Sequence, residues 1–170
     1  MMIPEYMRLF FCVVAAAVVL FAVLAFSRRG KGLARQVAYL LCFLSFFTVV
    51  FATVIMFNLP FDFAPNRHVV NFQPLRWLGE GEIRWRLKEI ALNILLFMPL
   101  GVFAPMAFKR LRRFGAAVLG IFAVTFCIEF FQYFIGRSAD IDDIIANLLG
   151  GIIGYAVFKI SSKLFGRGRF

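Results

Sequence analysis

Glu129 is the only charged residue in an apolar run, 114–135. At about 1.5 Å of rise per residue it lies roughly 10 Å inside the helix end marked by Gly136. An unpaired carboxylate at that depth in lipid would cost several kcal/mol or take up a proton, so it marks a candidate functional site. Gln132 and Tyr133 follow at i+3 and i+4, on the same helical face. That face leads out to Arg137. Asn93 is the fourth residue of another apolar run, 90–108. Asp140, Asp143 and Asn147 fall at i, i+3 and i+7, one stripe at the start of a third run, 141–158. Asn93, Glu129 and Asn147 thus come from three helices at similar depth. Glu129 is placed to act as general acid or base, with Asp140 or Asp143 orienting a neighbour. Arg137 offers a planar fork for a phosphate or carboxylate. Gln132, Asn93 and Asn147 would position the bound group.

Each residue also has a structural reading. Asp140 and Asp143 have the spacing of an N-cap and an N3 acid. The two asparagines can hydrogen-bond between helices, and Gly150, Gly151 and Gly154 suit close packing. Pro99 and Pro105 would bend their helix, with Gly101 easing the bend. No second His or Cys joins His68 at metal spacing, so no zinc site is expected. The Asp140–Asp143 run with Glu129 could bridge Mg²⁺ to a phosphate, but those side chains point in different directions. No metal is assigned, and the cofactor stays open.

These residues need elements whose solvent is lipid. Of 170 residues, 62% are hydrophobic and 16% charged, and 24 are Phe. A chain this short cannot hide that much apolar surface from water, which excludes a soluble domain, and disorder needs the opposite composition. The expected fold is all-α and polytopic, with about five transmembrane helices. The runs are 9–27, 36–61, 90–108, 114–135 and 141–158. Glu5 ahead of the first run, and Arg28 and Arg29 after it, suit a retained span rather than a cleaved signal. The formal charge of +10 points to membrane orientation rather than to nucleic acid. Twelve of the 19 basic residues fall in the two short loops and the tail that share one side, and none of the nine acids does. That side is read as cytoplasmic, leaving the N-terminus outside.

The chain divides into two N-terminal spans (1–61), an outer loop (62–88), a three-helix core (89–160) and a basic tail (161–170). Trp77 and Trp85 in the outer loop are placed at the membrane interface, and 77–88 reads as an amphipathic surface helix. Cys12, Cys42 and Cys127 lie within apolar runs and read as unpaired core thiols.

The segment Asn93-Ile94-Leu95-Leu96-Phe97-Met98-Pro99-Leu100-Gly101 is followed by Glu129-x-x-Gln132. Then come Gly136-Arg137-Ser138-x-Asp140-Ile141-Asp142-Asp143 and Asn147-x-x-Gly150-Gly151-x-x-Gly154-Tyr155. Together these resemble the VanZ-like family. Asn71-x-x-Pro74 resembles its usual Asn-Leu-Ile-Pro-Phe, with Gln73 and Leu75 departing from that. The match spans about half the chain, 69–158. The resemblance implies a multi-pass protein of the bacterial inner or cytoplasmic membrane, linked to low-level teicoplanin resistance, and supplies no reaction.

The leading expectation is an enzyme acting on an outer-leaflet lipid or lipid-linked cell-wall precursor. The alternatives are a non-catalytic protein that binds or translocates lipid or glycopeptide, and a scaffold for envelope synthesis. Membrane lipids are the expected partners, and nucleic acid is not.

Overall fold

The computed structural model describes residues 32–55, 70–79, 83–134 and 138–165. The run 9–27, the end of the second run, Cys12, His68 and Arg137 lie outside the described residues. Four helices dominate: α1 (Leu33–Val50), α2 (Ile83–Ala107), α3 (Phe114–Phe134) and α4 (Ile141–Phe165). A π-helical turn, Phe51–Ile55, extends α1. All four are long and apolar enough to cross a membrane, giving an all-α polytopic membrane protein.

The most extensive packing is α2 on α4, followed by α1 on α2 and α3 on α4. Contacts between α2 and α4 advance together along both chains. Asn93 meets Asp143, Ile94 meets Gly150, and Met98 meets Gly154. The two helices are therefore parallel. A Cβ at Gly150 would clash with the Ile94 carbonyl oxygen, and one at Gly154 with the Met98 oxygen. Lipid tails give helices no hydrophobic reason to associate, so close backbone contact must supply the attraction. The glycines permit it.

Helix α2 runs through Pro99 and Pro105 as one element. Each proline removes the donor for the carbonyl four residues earlier. Phe97 is fully buried at the centre of a core shared with Val49, Leu100, Ala104, Ile121 and Ile128. Phe122, Phe126, Phe130 and Phe134 stand exposed at every fourth position of α3, a stripe suited to lipid. Cys127 is also exposed, while Cys42 is buried. The expectation of a core thiol at Cys127 is thus corrected: it lies on the outward face of α3.

The outer-loop expectations also change. Residues 83–88 form the first turns of α2, not a separate surface helix. Trp77 sits in a 3-10 turn, Arg76–Gly79, and is only 6% exposed, because that turn packs on α2. Trp85 is exposed as an interfacial residue would be. A two-residue strand β1 (Val70–Asn71) pairs in parallel with β2 (Ala139–Asp140), tying this segment to the start of α4.

The described acids are confined to one end, where Arg76, Arg84, Arg86 and Lys88 also lie. Among the described residues every acid lies at the end where α2 and α4 begin, namely Glu89, Glu129, Asp140, Asp142 and Asp143. The opposite end carries Arg35, Lys109, Arg110, Arg112, Arg113, Lys159 and Lys163.

Candidate functional site

Helix α4 begins where Asp140 caps it. Asp140 Oδ1 accepts the Asp142 N–H at 3.0 Å, which satisfies one orphan donor of the first turn. The same oxygen accepts from Asn71 Nδ2 at 3.2 Å. Asn71 Oδ1 in turn accepts the Gln73 N–H at 3.1 Å, shaping the bend before Pro74. The Asp140 N–H donates to Glu129 Oε2 at 3.1 Å. Arg86 Nη2 stands 3.7 Å from Asp140 Oδ2, and its Nη1 is 3.2 Å from Glu89. Asp140 therefore joins α2, α3, α4 and β1.

The two following acids reach different elements. Both oxygens of Asp142 accept the Leu75 N–H, each at 3.1 Å. Leu75 has a φ of 60°, the left-handed region that costs an L-residue about 1–2 kcal/mol. Pro followed by a positive φ is the order a type II turn uses. The carboxylate thus holds a strained turn, with Leu75 itself 53% exposed. Asp143 Oδ1 accepts from Asn93 Nδ2 at 2.9 Å, joining α2 to α4 at the acidic end. Asp142 and Asp143 also lie in the first turn of α4, where the helix dipole favours negative charge.

One turn deeper lies a second polar layer. Asn147 Nδ2 donates to Thr125 Oγ1 at 2.7 Å, and the two residues are 2% and 0% exposed. The Asn147 Oδ1 atom is buried with no hydrogen-bond partner among the described residues. Gln132 is buried beside Glu129 on α3, but its Nε2 donates to the Thr53 carbonyl at 2.9 Å. It thereby fastens the π-helical turn to α3. Thr53 Oγ1 itself bonds back to the Val49 carbonyl at 2.8 Å.

The geometry therefore sorts the residues singled out above. Asn93 and Asp143 are joined directly, and Glu129 and Asp140 are joined through a backbone N–H. Asn147 pairs one layer below them. Gln132 turns to α1's extension. Asp140 acts as the N-cap its spacing suggests, and Asp143 bonds across to α2. Among the described residues no group of His, Cys, Asp or Glu is arranged to hold a metal.

Sequence reasoning gave Asp142 no role of its own and passed over Thr125, Arg86 and the partner of Asn71. Thr125 was findable, because it sits four residues before Glu129 on the same helical face. Asp142 was not, because its partner is a backbone N–H 67 residues away, and any residue type could supply one.

The model for the VanZ/LLP1 family matches residues 9–162. The chain belongs to this family. Every residue of the acidic cluster lies within the matched segment. This VanZ/LLP1 chain is also 28% identical over 127 residues to protein VanZ of Enterococcus faecium, covering 71% of this chain and 73% of that protein. No solved structure matches it.

Proposed function

We propose that this VanZ/LLP1 protein acts on an anionic envelope lipid or lipid-linked cell-wall precursor at the outer leaflet of the bacterial cytoplasmic membrane. The observation that carries this reading is Glu129. Glu129 is 4% exposed, and its carboxylate accepts the Asp140 N–H at the end of the helices where Asp140, Asp142 and Asp143 lie. Catalysis here needs a buried group able to give and take a proton, and Glu129 is that group. Arg137 holds the anionic headgroup, with Asp140 or Asp143 orienting it. Asn93 and Asn147 position the headgroup. Gln132 belongs to the same wall through its bond to Thr53.

A second reading keeps the polar cluster as a binding site and drops the chemistry. Asp140, Asp142 and Asp143 each engage an oxygen in holding another element, which favours a binding site for a lipid or a glycopeptide tail. Full translocation is less favoured. Below Asn147, α2 and α4 meet in close backbone contact at Gly150 and Gly154, which leaves no room for a polar path between these two helices.

Glu129→Gln separates the two readings. Teicoplanin susceptibility and envelope-lipid turnover are measured beside membrane accumulation of the variant. An acid–base role predicts at least about a 100-fold loss of turnover at normal accumulation. Retained turnover would leave the binding reading. Arg137→Lys provides a second prediction. It keeps the charge and loses the fork, so headgroup binding should fail while thermal stability is unchanged. A stable, fully active Arg137→Lys protein would remove Arg137 from the site.

The acidic end is placed outside and the basic end in the cytoplasm, with five spans and the N-terminus outside. Cysteines introduced next to His68 should react with an impermeant thiol reagent on intact cells, and those next to Arg112 should not. The reverse pattern would invert the protein.

A further inference from the structure

We propose that the basic end carries a second, built site for the phosphate of an anionic phospholipid, formed by Arg112 and Lys159, the two basic residues that contact Tyr155. The site is separate from the acidic cluster and lies at the opposite ends of the helices. Arg112 belongs to the tight corner between α2 and α3, a 3-10 turn over Lys109–Arg112. Its Nε donates to the Pro105 carbonyl at 3.2 Å. Pro105 is fully buried, so the guanidinium is tethered to a fixed point. One of its five N–H groups is used there, and its two Nη nitrogens carry the rest.

The corner is fastened from the other side as well. Tyr155 of α4 is 6% exposed, and its hydroxyl donates to the Arg112 carbonyl at 2.7 Å. The ammonium of Lys159 stands 5.6 Å from the centre of the same ring, within cation–π range. The Phe114 ring packs on it at 5.6 Å. One immobilised tyrosine thus touches both segments, bonding to the backbone of Arg112 and lying under the ammonium of Lys159.

Charge decides the occupant. Among the described residues this end has no acid, so neither cation is neutralised within it. Lys109, Arg110 and Arg113 add to the field from exposed positions. A membrane protein with this arrangement meets lipid phosphates at this level of the bilayer, and basic pockets between spans select anionic headgroups. Loop lysines and arginines that serve only to orient the chain require no such fixation. Here one cation is pinned at Nε and another is held over a ring.

Native mass spectrometry of the full chain in detergent micelles tests this, with phosphatidylglycerol and phosphatidylcholine of identical acyl chains as probes. The wild type should retain phosphatidylglycerol about fivefold better. Lys159→Gln, at an exposed position that the fold does not need, should abolish that preference. Tyr155→Phe keeps the ring and frees the corner, and should weaken the preference. Lys163→Gln, one turn further along α4, should leave it intact. Equal retention of the two lipids by the wild type would overturn the proposal. So would a loss in Lys163→Gln equal to that in Lys159→Gln, since diffuse charge would then account for the binding.

Discussion

Gly150→Val should separate α2 from α4 and lower the detergent unfolding midpoint by about 2–12 °C. The first added carbon already clashes with the Ile94 carbonyl oxygen. That oxygen is part of a helix and cannot rotate aside, so one helix must shift. Overpacking of a tight contact costs about 1–3 kcal/mol, and about 2–4 °C is lost per kcal/mol in a chain of this size. The displacement should also stretch the Asn93–Asp143 bond, seven residues away on α4, so activity should fall with stability. Gly115→Ala is the control. Nothing lies within 4 Å of a Cβ there, and its midpoint should hold or rise. A Gly150→Val protein as stable as the wild type would show that the two helices do not depend on this approach.

Asp142→Ala should free the turn around Leu75. A hydrogen bond to a charged group contributes about 1.5–3 kcal/mol, so hydrogen exchange across residues 70–79 should speed up roughly 10- to 100-fold. The Leu75 amide itself should respond most. Leu75→Gly works in the other direction on the same turn. Glycine adopts a φ of 60° without steric cost, and the half-exposed leucine side chain gives up little packing. Leu75→Gly should therefore keep its protection, and combined with Asp142→Ala it should recover part of what that change loses. Unchanged exchange in Asp142→Ala would mean that β1 and Asn71 suffice to hold the segment.

The four described spans were legible because apolar runs of about 20 residues have few other uses. Their ends were less so. Helix α2 begins at Ile83, among Arg84, Arg86, Lys88 and Glu89, because a helix leaving the bilayer continues into water without changing its backbone. The strand pair Val70–Asn71 with Ala139–Asp140 is two residues long on each side, too short for any alternation. At the site, Asn93, Glu129, Asp140, Asp143 and Asn147 were visible because polar groups in lipid are costly and few. Their pairings were not visible. Asn147 could have faced Asn93, but helix rotation gives it Thr125. Gln132 could have faced the headgroup, but the π-helical turn presents the Thr53 carbonyl to it. Trp77 looked like an interfacial anchor, and a four-residue turn folds it inward.

The parallel pairing of α2 with α4 sets an order of assembly during synthesis. Asn93 and Asp143 are 50 residues apart, so a ribosome adding about 5–20 residues per second makes the second about 3–10 s after the first. The same lag separates their emergence, so for that time α2 lacks its closest neighbour, exposing the Asn93 amide and the ridge that the glycines of α4 will cover. Helix α1 is already present and shields the other flank. The nascent chain therefore passes through a half-built stage in which α2 is open to chaperones, to quality-control proteases, and to any other membrane helix bearing small residues.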